Sequence, residues 1–200
     1  NTHHHYDHIG GNAELKKFYD AKVVGFVGDK HRIPGIDITL EDNSHWSFGD
    51  SSVKILHIPG HTLGHICFFF EKEKIVFTGD TLFSLGCGRI FEGDHKQMLT
   101  SLNKIKKLPG NTKIYCGHEY TYKNAEFCIK YDSDNIDLKK KFEQIKKLRS
   151  RDLPTLPTIL EEELKSNIFL RCDQNDLKIK LNMKNQEDLK VFKKVRDLKD

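Results

Sequence analysis

The chain has 200 residues, of which 31% are charged and 37% hydrophobic, and its mean hydropathy is −0.59. No apolar run approaches the roughly 18 residues of a membrane-spanning helix, which excludes that class of protein, yet the apolar content suffices for a hydrophobic core. Residues 1–100 carry a net charge of −3 and ten of the 11 histidines, whereas residues 101–200 carry a net charge of +7, which suggests separate chemical duties for the two halves.

The first half of the chain is predicted to begin with a helix and to continue into a sheet. Apolar spacing indicates a short helix over Asn12–Asp20, and Lys22–Val27 has the pattern of an extended segment. Further on, short runs rich in β-branched and aromatic residues predict adjacent strands of a buried sheet, and one amphipathic helix lies among them. The predicted strands are Val53–Ile58, Ile66–Phe70, Ile75–Phe77 and Lys113–Cys116, and the helix is Asp94–Leu108.

Past His118 the strand signals almost stop, and lysine-rich amphipathic helices follow. We therefore predict two domains, an α/β domain over residues 1–118 and a small helical domain over residues 119–200. The consecutive lysines at 139–141 are interpreted as a solvated helix face rather than a binding surface. The predicted helices are Tyr122–Tyr131, Leu138–Leu148, Thr158–Lys165 and Glu187–Leu198.

The five cysteines are an odd number without a CxxC spacing, which argues against both a disulfide framework and a cysteine zinc ribbon. We therefore expect a reducing compartment, with the cytoplasm as the default. Asn1 is not an initiator methionine and a dense motif follows it at once, so we expect that an upstream segment is missing. A signal for an organelle would lie in that segment.

Residues 2–11 carry the strongest chemical signal, a HxHxDH string that runs into a glycine pair. In an extended segment His3 and His5 lie on one side, because side chains alternate, and Asp7 and His8 follow where the chain can turn toward a second point. Imidazoles with a nearby carboxylate suit zinc, and also iron or manganese. An affinity-tag remnant is a poor alternative, since tags are uninterrupted histidine runs.

Three further residues stand at loop positions after predicted strands, where the edge of a sheet would collect them: His61 in PGHTLGH, Asp80 in TGDTLF and His118 in CGHEY. Each has an ordinary explanation by itself, as a structural histidine or a Gly-Asp turn. Together with the opening motif they give five histidines and two aspartates, enough for two metal ions bridged by one carboxylate. His65 is expected to pack or hydrogen-bond in support of the site, and His4 to point the opposite way.

The segments THHHYDHIGG, PGHTLGH, TGDTLF and CGHEYT, in this order, resemble the metallo-β-lactamase superfamily. The string GDTLFSLGCGRIFEG, with NIFLRCD and RDLKD near the end, is similar to the hydroxyacylglutathione hydrolases, also called glyoxalase II. The resemblance implies an α/β fold, an αββα sandwich followed by a helical glutathione-binding domain. The family has several strands before this motif that the chain lacks. We therefore expect an open sheet edge and an incompletely covered core, and either a missing upstream segment or an impaired protein.

The resemblance also implies a binuclear metal centre. Zinc, iron and manganese all occur in the family, and zinc is the first expectation. One ion is expected at His3, His5 and His61, the other at Asp7, His8 and His118, with Asp80 as the bridge.

Five residues are implied as contacts of the glutathione part of the substrate. Arg196 and Lys199 match an RxxK pair that receives the glycine carboxylate, and Arg89 matches a position that is lysine or arginine in relatives. Tyr120 matches the tyrosine just after the last metal histidine. Phe91 stands where some relatives have a tyrosine, so one hydroxyl contact is expected to be absent.

The implied reaction is hydrolysis of S-D-lactoylglutathione and related 2-hydroxyacylglutathiones to glutathione and D-lactate, the second step of the glyoxalase pathway. Two divalent ions that share a water lower its pKa from about 15.7 toward about 7, and the hydroxide attacks the thioester carbonyl. Asp7 would accept a proton and orient that hydroxide, while Asp80 bridges the metals. Thiolate leaves readily enough that no general acid is needed. We expect a monomer or a weak homo-oligomer.

Other functions compete with this one. A persulfide dioxygenase of the same fold would use a single iron, would not need the helical RxxK tail and would leave Asp7 and His8 outside the metal's coordination. A nuclease or other nucleic-acid binder is suggested by the basic second half, but interleaved aromatic residues and nucleic-acid motifs are lacking. A non-catalytic thiol or metal binder is hard to reconcile with a complete ligand set. We therefore expect neither nucleic acid nor a membrane as a partner.

Overall fold

The computed structural model describes residues 1–200 and contains ten strands, eight α-helices and one short 3₁₀ helix. The first part of the chain comprises α1 Tyr6–Ile9, α2 Asn12–Tyr19, β1 Val23–Phe26, the 3₁₀ helix Val27–Asp29, β2 Ile36–Leu40, β3 His45–Phe48, β4 Ser51–His57, β5 Ile66–Phe70 and β6 Ile75–Gly79. It continues with β7 Leu82–Phe83, β8 Gly86–Cys87, α3 His95–Lys106, β9 Lys113–Cys116, α4 Thr121–Tyr131, α5 Ile136–Arg149, β10 Thr158–Ile159, α6 Leu160–Ser166, α7 Asn175–Lys180 and α8 Asp188–Lys199.

The main sheet has six strands in the order β10-β9-β6-β5-β4-β3. All neighbours are antiparallel except β6 and β9, which run parallel. Parallel neighbours need a crossover connection, and α3 supplies it. Asp94 begins that helix with a capping box to Gln97, and Met98, Leu102 and Ile105 form its buried stripe.

One face of the sheet carries the main core, a cluster of 26 buried residues that draws on the strands and on the helices of both halves of the chain. Cys67 and Phe69 of β5 point into it, since side chains alternate along a strand. Val191 and Val195 of α8 belong to the same cluster. The helical second half is therefore packed onto the sheet through one continuous core.

The opposite face of the sheet is only partly covered. The small parallel pair β1–β2 packs there through a second cluster of five buried residues. Beside it lies an apolar groove of about 420 Å³, at whose wall Phe48 and Phe77 remain 60% and 42% exposed. No helix combines the length and the apolar character that crossing a membrane requires.

Several elements differ from the sequence-based expectation. The strands β2, β3, β7, β8 and β10 and the helices α1 and α7 were not predicted. The helix expected over Thr158–Lys165 is wrong at its start, because residues 158 and 159 pair with β9 as a two-residue strand and α6 begins at Leu160. A two-residue strand such as β10 has no periodicity of its own, and only its pairing with β9 defines it.

Candidate metal centre

The opening motif is held in an extended conformation and then turns into α1. The Ile66 N–H donates to the Thr2 carbonyl oxygen at 2.9 Å, which fixes the segment to β5. His5 is extended, with φ −61° and ψ 145°, and the helix begins at the next residue. His3 and His5 can therefore face the same point, while the first turn of α1 carries Asp7 and His8 toward another.

The structure brings all seven predicted metal ligands together at one edge of the sheet. They form three overlapping groups, and within each group one ligand atom per residue lies within 4.8 Å of the others. The groups are His3, His5 and His61; His3, His8 and Asp80; and Asp7, His8 and His118.

Asp80 lies between the two sets of histidines. Its Oδ1 is 3.3 Å from His8 Nε2, while its Oδ2 is 3.2 Å from His118 Nε2 and 3.7 Å from His61 Nε2. Within the set of His3, His5 and His61, His5 Nδ1 and His61 Nε2 are 3.0 Å apart. A carboxylate that reaches histidines of both sets, His61 in one and His8 and His118 in the other, has the position that a bridging ligand needs.

The nitrogen atoms that face the site are available as metal ligands. His3 Nε2 is buried and has no hydrogen-bond partner, although burying a polar nitrogen without a partner is costly. His61 Nδ1 donates to the Arg89 carbonyl oxygen at 2.8 Å, so in the neutral ring its Nε2 presents a lone pair to the site. Five imidazoles with two carboxylates match the preference of zinc-like divalent ions. The ligand role of each residue stays a prediction.

At three of the histidines and at Asp80 the environment favours the protonation states that metal ligands require, whereas the hydrogen bond with Asp80 raises the pKa of His8. Burial, followed by the charges of neighbouring histidines, lowers the pKa of His3, and burial also lowers the pKa of His5 and His61. Burial opposes ionisation of Asp80, but its hydrogen bond with His8 and the charge of His118 bring its pKa below the usual value. Neutral imidazoles and an ionised carboxylate bind metal without first losing a proton.

His65 supports the site as the sequence predicts. Its Nε2 accepts a hydrogen bond from the Asp80 N–H at 3.0 Å, and burial lowers the pKa of the ring to about 3, which keeps it a neutral acceptor. Gly79 precedes Asp80 with φ 49°, where a Cβ would come within 2.5 Å of Thr2 Oγ1 and 2.7 Å of the His65 ring. Only glycine permits this approach.

A partly buried ionic network behind the opening motif was missed by the sequence reasoning. His4 turns away from the metal ligands, with Nδ1 3.3 Å from Asp29 and Nε2 3.4 Å from Glu92. Arg32 lies 2.5 Å from both carboxylates, and Glu92 also accepts from the Leu63 N–H at 2.8 Å. Asp29 and Arg32 are neighbours in sequence, but His4 lies 25 residues from Asp29 and Glu92 lies 60 residues from Arg32, so no local motif indicates the whole network.

The metal centre opens into a cavity of about 440 Å³ that is lined by all five predicted substrate contacts. Phe91 presents its ring to His5 and His61 at centroid distances of 5.6 and 5.3 Å. Tyr120 stacks on His118 at 4.9 Å. The size lies within the usual range for small-molecule sites, and the combination of aromatic and polar lining is typical of them.

The three basic residues of this cavity differ in how far they are buried and hydrogen-bonded within the protein. Arg89 is exposed, with Nε 3.3 Å from Asp200 Oδ1. Lys199 is half-buried and donates to the Lys123 carbonyl oxygen at 3.3 Å, and burial lowers its pKa. Arg196 is only 3% exposed and donates to the Cys87 carbonyl oxygen at 2.8 Å. The sequence did not indicate this structural engagement of Arg196, and its contact with substrate stays a prediction.

Two family models match the chain. Residues 1–118 match the metallo-β-lactamase superfamily, and residues 119–200 match the C-terminus of hydroxyacylglutathione hydrolase.

Curated relatives match over the full length of the chain. Hydroxyacylglutathione hydrolase from Pelagibacter ubique is 56% identical over 200 residues, which are 100% of this chain and 78% of that protein. The hydroxyacylglutathione hydrolase from Methylococcus capsulatus is 46% identical, and the one from Maricaulis maris is 45% identical, each with the same coverage.

Solved structures share the fold. The BLEG-1 B3 metallo-β-lactamase gives a TM-score of 0.61 at 25% identity over 84% of this chain and 74% of that chain. ETHE1 from Myxococcus xanthus gives a TM-score of 0.63 at 24% identity over 99% of this chain and 73% of that chain. The second likeness concerns the fold alone.

Proposed function

Because this chain belongs to the hydroxyacylglutathione hydrolases of the metallo-β-lactamase superfamily, we propose that it hydrolyses S-D-lactoylglutathione and related 2-hydroxyacylglutathiones to glutathione and the free hydroxy acid. The observation that carries this proposal is 56% identity to such a hydrolase over all 200 residues, with the histidine and aspartate donors facing one cavity. The family requires a divalent metal ion, and the donor groups of the site are consistent with one.

The number and identity of the metal ions are part of the proposal. We assign one ion to the group around His61 and a second to the group around His118, with Asp80 between them, and zinc as the expected metal ahead of iron and manganese. The ions would lower the pKa of a bound water toward neutrality and polarise the thioester carbonyl. The orphaned Nε2 of His3 and the neutral state of the buried imidazoles support this assignment.

Asp7 is the proposed proton acceptor. Its side chain is 59% exposed at the mouth of the cavity, and its Oδ2 lies 3.2 Å from His118 Nε2 and 3.5 Å from His8 Nε2. It is therefore the one carboxylate of the set that faces both the second histidine group and the solvent. A proton accepted there leaves to bulk water without crossing the protein interior.

The second half of the chain is the proposed glutathione-binding part, with a domain boundary at residues 118–119. Arg89, Lys199 and Arg196 give one wall of the cavity a positive charge that suits the carboxylates of glutathione. Tyr120 and Phe91 frame the reacting end beside the histidines.

We further propose that the protein works in a reducing, cytoplasmic setting as a monomer or weak homo-oligomer. The support for the setting is that all five cysteines are free thiols and none forms a disulfide.

The test is hydrolysis of S-D-lactoylglutathione by the 200-residue chain with its natural metal content, after chelation and after readdition of zinc. We expect activity that chelation abolishes and zinc restores, together with two bound metal ions per chain. Activity indifferent to chelation refutes the proposal. One iron per chain with oxygen uptake on glutathione persulfide would instead identify the dioxygenase alternative.

A further inference from the structure

The hairpin β7–β8 and the residues directly after it connect two of the proposed metal ligands. Asp80 stands two residues before the hairpin, and Arg89, two residues beyond it, accepts the hydrogen bond of His61 through its carbonyl oxygen. The Gly88 N–H donates to Thr81 at 3.2 Å, and a Cβ on Gly88 would collide with the Asp80 carbonyl oxygen. The backbone of this segment therefore determines where both ligands stand.

Side chains of the second half of the chain hold this segment. Every backbone carbonyl from residue 83 to residue 88 accepts a hydrogen bond from a side chain that lies beyond residue 119. The donors are Asn167 Nδ2 to Phe83 at 3.3 Å and to Gly86 at 3.2 Å, Asn124 Nδ2 to Ser84 at 3.1 Å, Cys128 Sγ to Leu85 at 3.1 Å, and Arg196 to Cys87 at 2.8 Å and to Gly88 at 3.5 Å.

Glu163 accepts hydrogen bonds from the donor groups of the turn between β7 and β8. Its carboxylate is fully buried and accepts from the Leu85 N–H at 2.8 Å and from Ser84 Oγ at 3.1 Å. It also accepts from Asn167 Nδ2 at 3.0 Å, which orients that amide toward the hairpin carbonyls. Burial opposes its ionisation, but Lys141 at 2.7 Å brings the pKa of Glu163 below the usual value.

The turn would not keep this shape by its own preference. Leu85 has φ 56°, a left-handed conformation that is costly for a residue with a branched side chain, and the two strands it joins have only two residues each. A conformation of this kind persists when surrounding contacts determine it. Here those contacts come from the second half of the chain.

We propose that Glu163, together with Asn124, Asn167 and Arg196, acts as a clamp of positioning residues for the metal centre: through the hairpin β7–β8 it holds His61 and Asp80 in place, so the helical half of the chain sets the affinity for the metal. This inference rests on the proposed metal ligands. It adds a second duty to the helical half, besides contact with the glutathione part of the substrate.

The size of the expected effect follows from the position of the clamp. Removing a hydrogen-bond partner directly behind a metal ligand costs about 10–100-fold in metal affinity. The clamp acts one step farther away, through the hairpin backbone. We therefore expect about a tenfold loss of zinc affinity for Glu163→Gln, which disturbs several contacts, and about a threefold loss for Asn124→Ala, which removes one.

The experiment measures zinc affinity of the full chain without substrate, by competition with a chromophoric chelator, and records the absorption spectrum of the cobalt-substituted protein. The matched control is Asp132→Asn. Asp132 is likewise a fully buried carboxylate of the helical half, paired with Arg171 and with Lys180 at 2.7 Å, but it does not touch the hairpin. The unfolding free energy of each variant is measured in urea alongside.

Weaker zinc binding and an altered cobalt spectrum in Glu163→Gln and Asn124→Ala, with Asp132→Asn destabilised but unchanged in both, would establish the clamp. Unchanged zinc affinity in the folded clamp variants, or an equal loss in the control, overturns it. If Glu163→Gln does not fold, Asn124→Ala decides. A wild-type chain that binds fewer than two zinc ions refutes the proposed metal centre itself, so the two failures are distinguishable.

Discussion

Replacing Arg196 by methionine tests whether this side chain serves the fold as well as the substrate. The guanidinium is 3% exposed, donates to the Cys87 carbonyl oxygen at 2.8 Å and lies over the Phe169 ring at 5.2 Å. Lys199, the other member of the RxxK pair, is half-buried, donates to one backbone carbonyl at 3.3 Å and lies over the Phe127 ring at 4.7 Å. Lys199→Met is therefore the matched control, since it removes the second charge of the same predicted pair.

The expected loss of stability follows from the contacts of Arg196. Methionine fills much of the space of the aliphatic stem but leaves the buried Cys87 carbonyl without a donor, which costs about 1–3 kcal/mol. The lost cation–π contact with Phe169 adds about 0.5–2 kcal/mol. The ion pair with Asp200, whose carboxylate is 47% exposed, contributes little. We expect Arg196→Met to lower the unfolding free energy by about 1.5–5 kcal/mol in total. Lys199→Met loses only a partly exposed cation–π contact with Phe127 and should lower it by about 0.5–1 kcal/mol.

Urea unfolding of the zinc-loaded proteins measures this difference, and steady-state hydrolysis of S-D-lactoylglutathione measures the effect on substrate. Each charge-assisted hydrogen bond to the substrate is worth about 1.5–3 kcal/mol, so both variants should raise KM by about one to two orders of magnitude. Arg196→Met should also shift the urea midpoint, and by more than Lys199→Met does. Equal stability of the two variants would refute the structural role of Arg196, and an unchanged KM in Lys199→Met would refute the substrate contact.

Three other outcomes are expected. Chelation of the metals should lower the melting temperature as well as abolish hydrolysis, because ligands that bind only the folded state stabilise it; an unchanged melting temperature contradicts the metal centre. The pKa of Glu163 is lowered from 4.5, so its charge stabilises the fold above that pH and ceases to do so as the pH falls through the folded pKa. The difference in unfolding free energy between wild type and Glu163→Gln should therefore narrow in acid, and a difference that is independent of pH contradicts this. In a double-mutant cycle of unfolding free energies, Arg32→Met and Asp29→Asn should show a coupling of more than about 1 kcal/mol. Strictly additive effects would contradict the ion pair between the two side chains.

The sequence by itself determined the family and most of the long helices, and it indicated the candidate metal ligands that the fold brings together. The HxHxDH string is local, and its extended stretch followed by one helical turn directs its members toward two points, although a hydrogen bond from Ile66 fixes the segment to the sheet. The helix α3 carries its buried stripe and its capping box within 13 residues, so periodicity and end signals suffice to find it. The donor chemistry of His61, Asp80 and His118 was readable as a combination of motifs.

Only the tertiary structure decided what holds the site in place. The hairpin β7–β8 has two residues in each strand, too few for a periodic signal, and its hydrogen-bond donors come from residues as much as 109 positions away. Whether a charged side chain is buried depends on partners that the fold brings together, as Glu163 with Leu85 and Asp29 with His4 illustrate. For the same reason Arg196 carried the motif of a substrate contact in the sequence, while its burial against Cys87 became visible only when two distant segments met.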